Sequence, residues 1–388
     1  MTKSNRAGGI ALICAGHGFV DFYNNFLPVL LPLLMTKLGV SLTMSGILVM
    51  VLSFSANFSQ PILGYIFDKR NYGIILLFAV PITGLTACSL GYLNSLPPVF
   101  PILFFLGLAV AAMHPLGTSL ATFLSSKSNL GRVMSYYVAG GNFGFALAPV
   151  VVMAFMENCG IENIFLLAVP GIFLGFLYWK YGLYKLPTAG KSKSNTERST
   201  VISSLLKNSS ILKLNLAMGL RCWSYMAINT FLPILMISNG CSSIMSGFML
   251  TVFLGGTVTG GLIGGELGDR LNHKKVLASS MALAIIPSLY FCYNANTELL
   301  SILALFLSGA FIQAGQPSSI VWTQRMMPNF KGVASGMMMG ASFGMGAIGA
   351  AITAALGEQI GLLTAITISV CLSCMGFILV LATPYKEN

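Results

Sequence analysis

Four ionisable side chains fall well inside long apolar runs in this chain of 388 residues, away from the ends of those runs: His17, Asp21, His114 and Arg221. His17 and Asp21 are four positions apart, which sets them on one face of a helix. A carboxyl and an imidazole so placed can hold, share and pass a proton. Burial and a neighbouring cation pull a carboxyl's protonation in opposite directions, so any change in the surroundings of Asp21 would load or unload it. Imidazole titrates nearest neutrality, and His17 and His114 would tune or relay that proton. Arg221 leaves two readings open: a ligand for an anion, or a static ion pair with Asp21. Asn24, Asn25, Asn142, Gln313, Gln316 and Trp322 are the further polar or amphipathic groups for the same site.

The elements that must position these groups follow from composition. Hydrophobic residues make up 55%, charged residues only 8%, and the mean hydropathy is +0.82. Soluble domains carry about 25% charged residues, so a water-facing surface cannot be built from this inventory. A net charge of +11 would suit a nucleic-acid binder, but the basic residues lie in short gaps between apolar runs. The expected class is an all-α polytopic membrane protein. A spanning helix needs roughly 20 apolar residues, and twelve segments qualify: 8–35, 42–67, 73–94, 99–123, 132–156, 163–184, 210–236, 244–268, 275–294, 299–322, 333–356 and 360–382. Ionisable groups at bilayer depth are costly and mark function by default. Asp21 falls about thirteen residues into the first segment, near the midplane at 1.5 Å per residue.

The charges also orient the chain. Lys69, Arg70, Lys127, Arg132, Arg270, Lys274, Lys275, Arg325 and Lys331 fall in the gaps after even-numbered segments, and Lys191, Lys193, Arg198 and Lys207 in the middle gap. The opposite gaps hold Lys37 and the acids Glu157, Glu162, Glu298 and Glu358. The positive-inside rule then places both termini in the cytoplasm. The polar stretch 186–208 reads as a cytoplasmic linker between six-helix bundles at 1–185 and 209–388. The first segment, although preceded by Lys3 and Arg6, contains Asp21 and no small-residue cleavage site, so a retained helix is expected.

The halves repeat each other. GVSLTMSGI at 39–47 matches GCSSIMSGF at 240–248, and Gly64 and Asp68 fall on Gly265 and Asp269. NNFLP at 24–28 matches NTFLP at 229–233, His114-Pro115 falls on Gln316-Pro317, and GGNFG at 140–144 on GASFG at 340–344. Six spans per repeat make these parallel repeats about an axis along the membrane normal.

GYIFDKR at 64–70 and GGELGDRLNHKK at 264–275 close even-numbered helices. They resemble the loop signature of the major facilitator superfamily, with Asn272 standing where that signature usually has Gly. By that resemblance Gly64, Asp68 and Arg70, with Gly265, Asp269 and Arg270, form latches between helices. GGNFGFALAP at 140–149 is similar to the fifth-helix motif of the superfamily's antiporters, though its spacing differs; it also reads simply as a packing seam. GHGFVDFYNNFLP at 16–28, QPILGYIFDK at 60–69 and MHPLGTS at 113–119, together with that seam, resemble the fosmidomycin-resistance branch, whose members export drugs. The resemblance implies that helices 1, 4, 7 and 10 line a central cleft, and that the host membrane is a bacterial inner membrane.

The function expected is therefore secondary active transport: proton-coupled antiport exporting a small molecule, or proton-coupled import of a nutrient or organic anion. Export and import share every feature above. The chain holds no Walker loop, metal-ligand spacing, or Ser/His/Asp set, so neither an enzyme nor a direct ATPase is expected. The proton gradient would supply the energy with no cofactor, and the working form is expected to be a monomer in the lipid bilayer without nucleic acid.

Overall fold

The computed structural model describes residues 3–126, 129–187, 208–327 and 337–385. Nearly all of the 186–208 linker, and with it Lys191, Lys193, Arg198 and Lys207, lies outside the described residues, as do Lys127 and Lys331. Among the described residues the chain is helical throughout, without strands. Twelve helical spans are long and apolar enough to cross a bilayer. Spans 1 to 6 are Arg6–Leu38, Leu42–Phe67, Gly73–Tyr92, Val99–Leu124, Arg132–Cys159 and Ile161–Lys180. Spans 7 to 12 are Ser209–Ser238, Ser243–Arg270, His273–Asn294, Leu299–Met326, Met337–Ile360 and Leu362–Leu381. Hydropathy and length place these spans within a few residues of the segments expected from sequence.

Span 1 differs from the continuous helix expected. It is two helices, Lys3–Asn24 and Phe26–Leu38, joined at Asn25. Pro28 explains the break: its ring collides with the carbonyl of the residue four back, Asn24, and it has no N–H to donate. The Asn25 side chain holds the joint by donating from Nδ2 to the Phe145 carbonyl at 3.0 Å.

The helices gather into two compact units, one of Met1–Val40 with Val51–Ser192, the other of Ser41–Met50 with Lys193–Asn388. In the first unit, span 1 is held on several sides. Tyr23 donates its hydroxyl to the Leu167 carbonyl at 2.8 Å and accepts from the Gly171 amide at 3.1 Å. Tyr178 donates to the Leu12 carbonyl at 3.1 Å. Span 5 comes so close that a Cβ added at Gly144 would collide with the Gly18 carbonyl of span 1. In the second unit the tightest seam joins spans 8 and 10, where Gly260 and Gly264 abut the backbone at Ala310 and Ala314. Without a hydrophobic drive between helices in lipid, small residues that allow this approach supply the packing energy. The seam fixes span 10, which carries Gln313 and Gln316.

Candidate functional site

The first unit brings His17, Asp21 and His114 together near the middle of spans 1 and 4. His17 Nε2 lies 3.2 Å from Asp21 Oδ2, and His114 Nε2 lies 3.7 Å from Asp21 Oδ1. The two imidazole rings meet edge to face, with centroids 4.9 Å apart. His17 is almost wholly buried, and the carboxyl of Asp21 is 14% exposed.

One face of the cluster was not foreseen from sequence. Tyr137 of span 5 stacks on the His17 ring at 4.1 Å, and its carbonyl lies 2.7 Å from His17 Nδ1. Gly141, one turn further along span 5, leaves the space that the carboxyl and imidazole fill: a Cβ there would stand 2.5 Å from both Asp21 Oδ2 and His17 Cε1. The signal available in the sequence was spacing, since Tyr137, Gly141 and Gly144 share a helix face at i, i+4 and i+7.

These contacts fix where hydrogens sit. Nδ1 of His17 faces a carbonyl, so it carries a hydrogen and donates it. Nε2 then faces a carboxylate oxygen. Two lone pairs do not attract, so the 3.2 Å approach needs a proton on Nε2 or on the carboxyl. Among the described residues the buried Nε2 makes no hydrogen bond of good geometry. A proton on either group would have only a short path between imidazole and carboxyl. The cluster's ligating atoms also lie within 4.8 Å of one another, close enough for a small divalent cation. No spacing in the sequence signals that grouping, because His114 is on a different span.

The second unit carries the cation. Arg221 is 1% exposed in the middle of span 7. Its Nη1 donates to the Ile312 carbonyl and to Gln313 Oε1, both at 2.9 Å. Its Nη2 donates to Gln316 Oε1 and, at 3.1 Å, to Cys222 Sγ. The two glutamines expected alongside Arg221 thus bind it directly.

The remaining expected residues separate. Asn25 is fully buried at the break in span 1, while Asn24 is partly exposed and Asn142 exposed. Trp322 does not line a cleft: it is 2% exposed in an apolar core with Leu214, Met218, Leu277 and Met338, its ring 5.2 Å from that of Tyr385. Six residues on from Gln316, it points about 240° around the helix from it at 3.6 residues per turn. Of the expected latch residues, Arg270 pairs with Glu266 of its own helix at 2.5 Å, both side chains well exposed. Asp269 and Arg70 are exposed, and the Asp68 side chain lies outside the described residues. Gly64 and Gly265 do behave alike: a Cβ at Gly64 would stand 3.7 Å from Pro115, and one at Gly265 3.8 Å from Pro317.

Twelve spans in two repeated halves, with ionisable clusters at mid-depth, define a multi-pass integral membrane protein. The chain matches the Major Facilitator Superfamily over residues 13–236 and 214–388, and it belongs to that family of transporters. It is 25% identical over 370 residues to the fosmidomycin resistance protein of Escherichia coli, covering 92% of this chain and 88% of that one. It is 26% identical over 359 residues to the transporter YfnC of Bacillus subtilis, covering 89% and 85%. Its fold is like that of the nucleoside transporter NupG (TM-score 0.78, 17% identity, 97% of this chain and 100% of that one). A bacterial homologue of the lysosomal transporter Spinster is similar to the same degree (TM-score 0.79, 12% identity, 99% and 97%).

Proposed function

We propose that this protein is a proton-coupled antiporter that exports a small molecule across a bacterial inner membrane by alternating access, with both termini cytoplasmic. The observation that carries the coupling is the His17–Asp21–His114 cluster. It is a carboxyl near the middle of span 1, 3.2 Å from one imidazole nitrogen and 3.7 Å from another. Such a group can be charged from one side of the membrane and discharged to the other as its surroundings open and close. Likeness to a fosmidomycin resistance protein along most of both chains supports export. The gradient supplies the energy, and no cofactor enters.

Import by proton symport is the second reading. It is favoured by 22% identity over 250 residues to the sialic acid transporter NanX of Escherichia coli, covering 62% of this chain and 60% of that one.

Everted membrane vesicles energised to an acid interior, read with a fluorescent pH probe, test the first reading. Fosmidomycin opens the compound panel, with Asp21→Asn beside wild type. Proton release on addition of a compound, lost in the variant, is the expected result. Release that persists in a stably inserted Asp21→Asn protein would remove Asp21 from coupling. Release seen only in vesicles of the opposite orientation would put import first.

A further inference from the structure

The cluster around Arg221 is electrostatically incomplete. Arg221 is buried in span 7, yet its partners among the described residues are a carbonyl, two amide oxygens and a thiol, all neutral. The acids among the described residues of this unit are Glu266, Asp269, Glu298 and Glu358, all exposed near span ends. The set also carries donors without acceptors: Arg221 Nε and Gln316 Nε2 are buried and have no hydrogen-bond partner among the described residues. An unmade buried hydrogen bond costs about 1–3 kcal/mol, and a lone cation at this depth costs more. Evolution tolerates such a cost where a ligand removes it.

The geometry points to an oxyanion receptor. We infer that Arg221, held flat by Gln313 and Gln316, recognises a carboxylate, phosphonate or phosphate group on the transported solute. One oxygen accepts from Arg221 Nε and the other from the free amide of Gln316, and the negative charge cancels that of the guanidinium. Guanidinium suits this role because its planar donors match two oxygens at once and it stays protonated. Gln313 is the partly exposed member of the group, so the anion enters on its side. The inference rests on the transporter reading but on neither direction nor proton coupling.

Binding to the purified full-length protein in lipid nanodiscs tests it without any gradient. The probes are benzoate, phenylphosphonate and inorganic phosphate, with methyl benzoate as the uncharged control. At least one anion is expected to bind wild type and raise its unfolding temperature where the ester does not; which anion does so separates carboxylate from phosphorus oxyacid. Arg221→Gln is expected to weaken that anion at least ten-fold, with Arg221→Lys between the two. Gln316→Glu guards against mere misfolding. It places a carboxylate beside the guanidinium, so the protein should become more stable than wild type while ceasing to respond to anions. Asp21→Asn should bind anions as wild type does, even where it has lost proton release, so failure of the coupling reading stays distinct from failure of this one. Three results would overturn the inference: no anion preferred over the ester in wild type, equal binding in Arg221→Gln, or binding that emerges only in Asp21→Asn. The last would mean that an acid of this chain is the counter-ion.

Discussion

Gly141→Ala is the smallest change that reaches the proton cluster without touching a polar group. The added Cβ would stand 2.5 Å from Asp21 Oδ2 and from His17 Cε1, whereas ordinary contact begins at 3.4 Å. Something must therefore yield by 0.9 Å, the difference of those two distances. His17 cannot slide across towards Tyr137, which stacks on its ring at 4.1 Å. Asp21 has His114 on its other oxygen at 3.7 Å and can move only by disturbing that contact. Overpacking of this kind costs about 1–3 kcal/mol, which leaves a folded protein. A misplacement near 1 Å at a reacting group, in contrast, can cost about 100-fold in rate. Gly141→Ala is thus expected to insert and unfold within a few degrees of wild type, yet to lose at least ten-fold in substrate-driven proton release from everted vesicles. Gly144→Ala is the contrasting control: its Cβ meets the backbone carbonyl of Gly18, which no rotamer change relieves, so loss of folded protein is expected there. Wild-type proton release in a correctly inserted Gly141→Ala protein would refute the argument that this packed geometry carries the coupling.

Three further substitutions separate side-chain roles that the sequence alone does not distinguish. Tyr137→Phe keeps the ring on His17 and loses only a hydroxyl whose hydrogen bond, to the Met113 carbonyl, is long at 3.4 Å, so transport and unfolding temperature should stay near wild type. Tyr137→Ala removes a 1% exposed ring, should cost about 3–5 kcal/mol, and should abolish proton release as His17 loses its support; the thermal and vesicle assays together check both. Trp322→Ala should cost about 3–5 kcal/mol of stability through its buried core position while leaving the apparent affinity for the solute unchanged in whatever protein survives, because its indole is packed among Leu214, Met218 and Leu277. A selective loss of affinity in Trp322→Ala would place it in the site after all.

Hydropathy made the twelve spans legible because a bilayer tolerates few alternatives to a long apolar helix. The His17–Asp21 pair was legible for a similar reason: four-residue spacing on a helix leaves the two side chains nowhere else to point. Tyr137 was not, since a tyrosine inside an apolar run carries no mark of what its ring covers, and only the close approach permitted by Gly141 and Gly144 brings it onto His17. Trp322 carries no mark of its surroundings in the sequence; its position six residues beyond Gln316 turns it to another face, among Leu214, Met218 and Leu277. The break at Asn25 was written in Pro28, whose effect falls four residues upstream of the proline itself.

The internal repeat carries the argument further than any single motif. His114-Pro115 and Gln316-Pro317 occupy matching places, and each serves the first span of its own half: His114 lies against Asp21, and Gln316 binds Arg221. Each proline also lies beside the glycine of its half's loop motif, Gly64 or Gly265. The scaffold is thus duplicated, and the chemistry placed on it is not. The first half received a carboxyl and two imidazoles, groups that gain and lose protons in the physiological range or can be brought into it. The second received a guanidinium, which does not lose its proton in proteins, and two amides, which do not titrate. On the reading proposed here, the half that can change its charge answers to the gradient, and the half whose charge is fixed answers to the solute. That division predicts separable defects: anion binding should survive the loss of Asp21, and it should not survive the loss of Arg221.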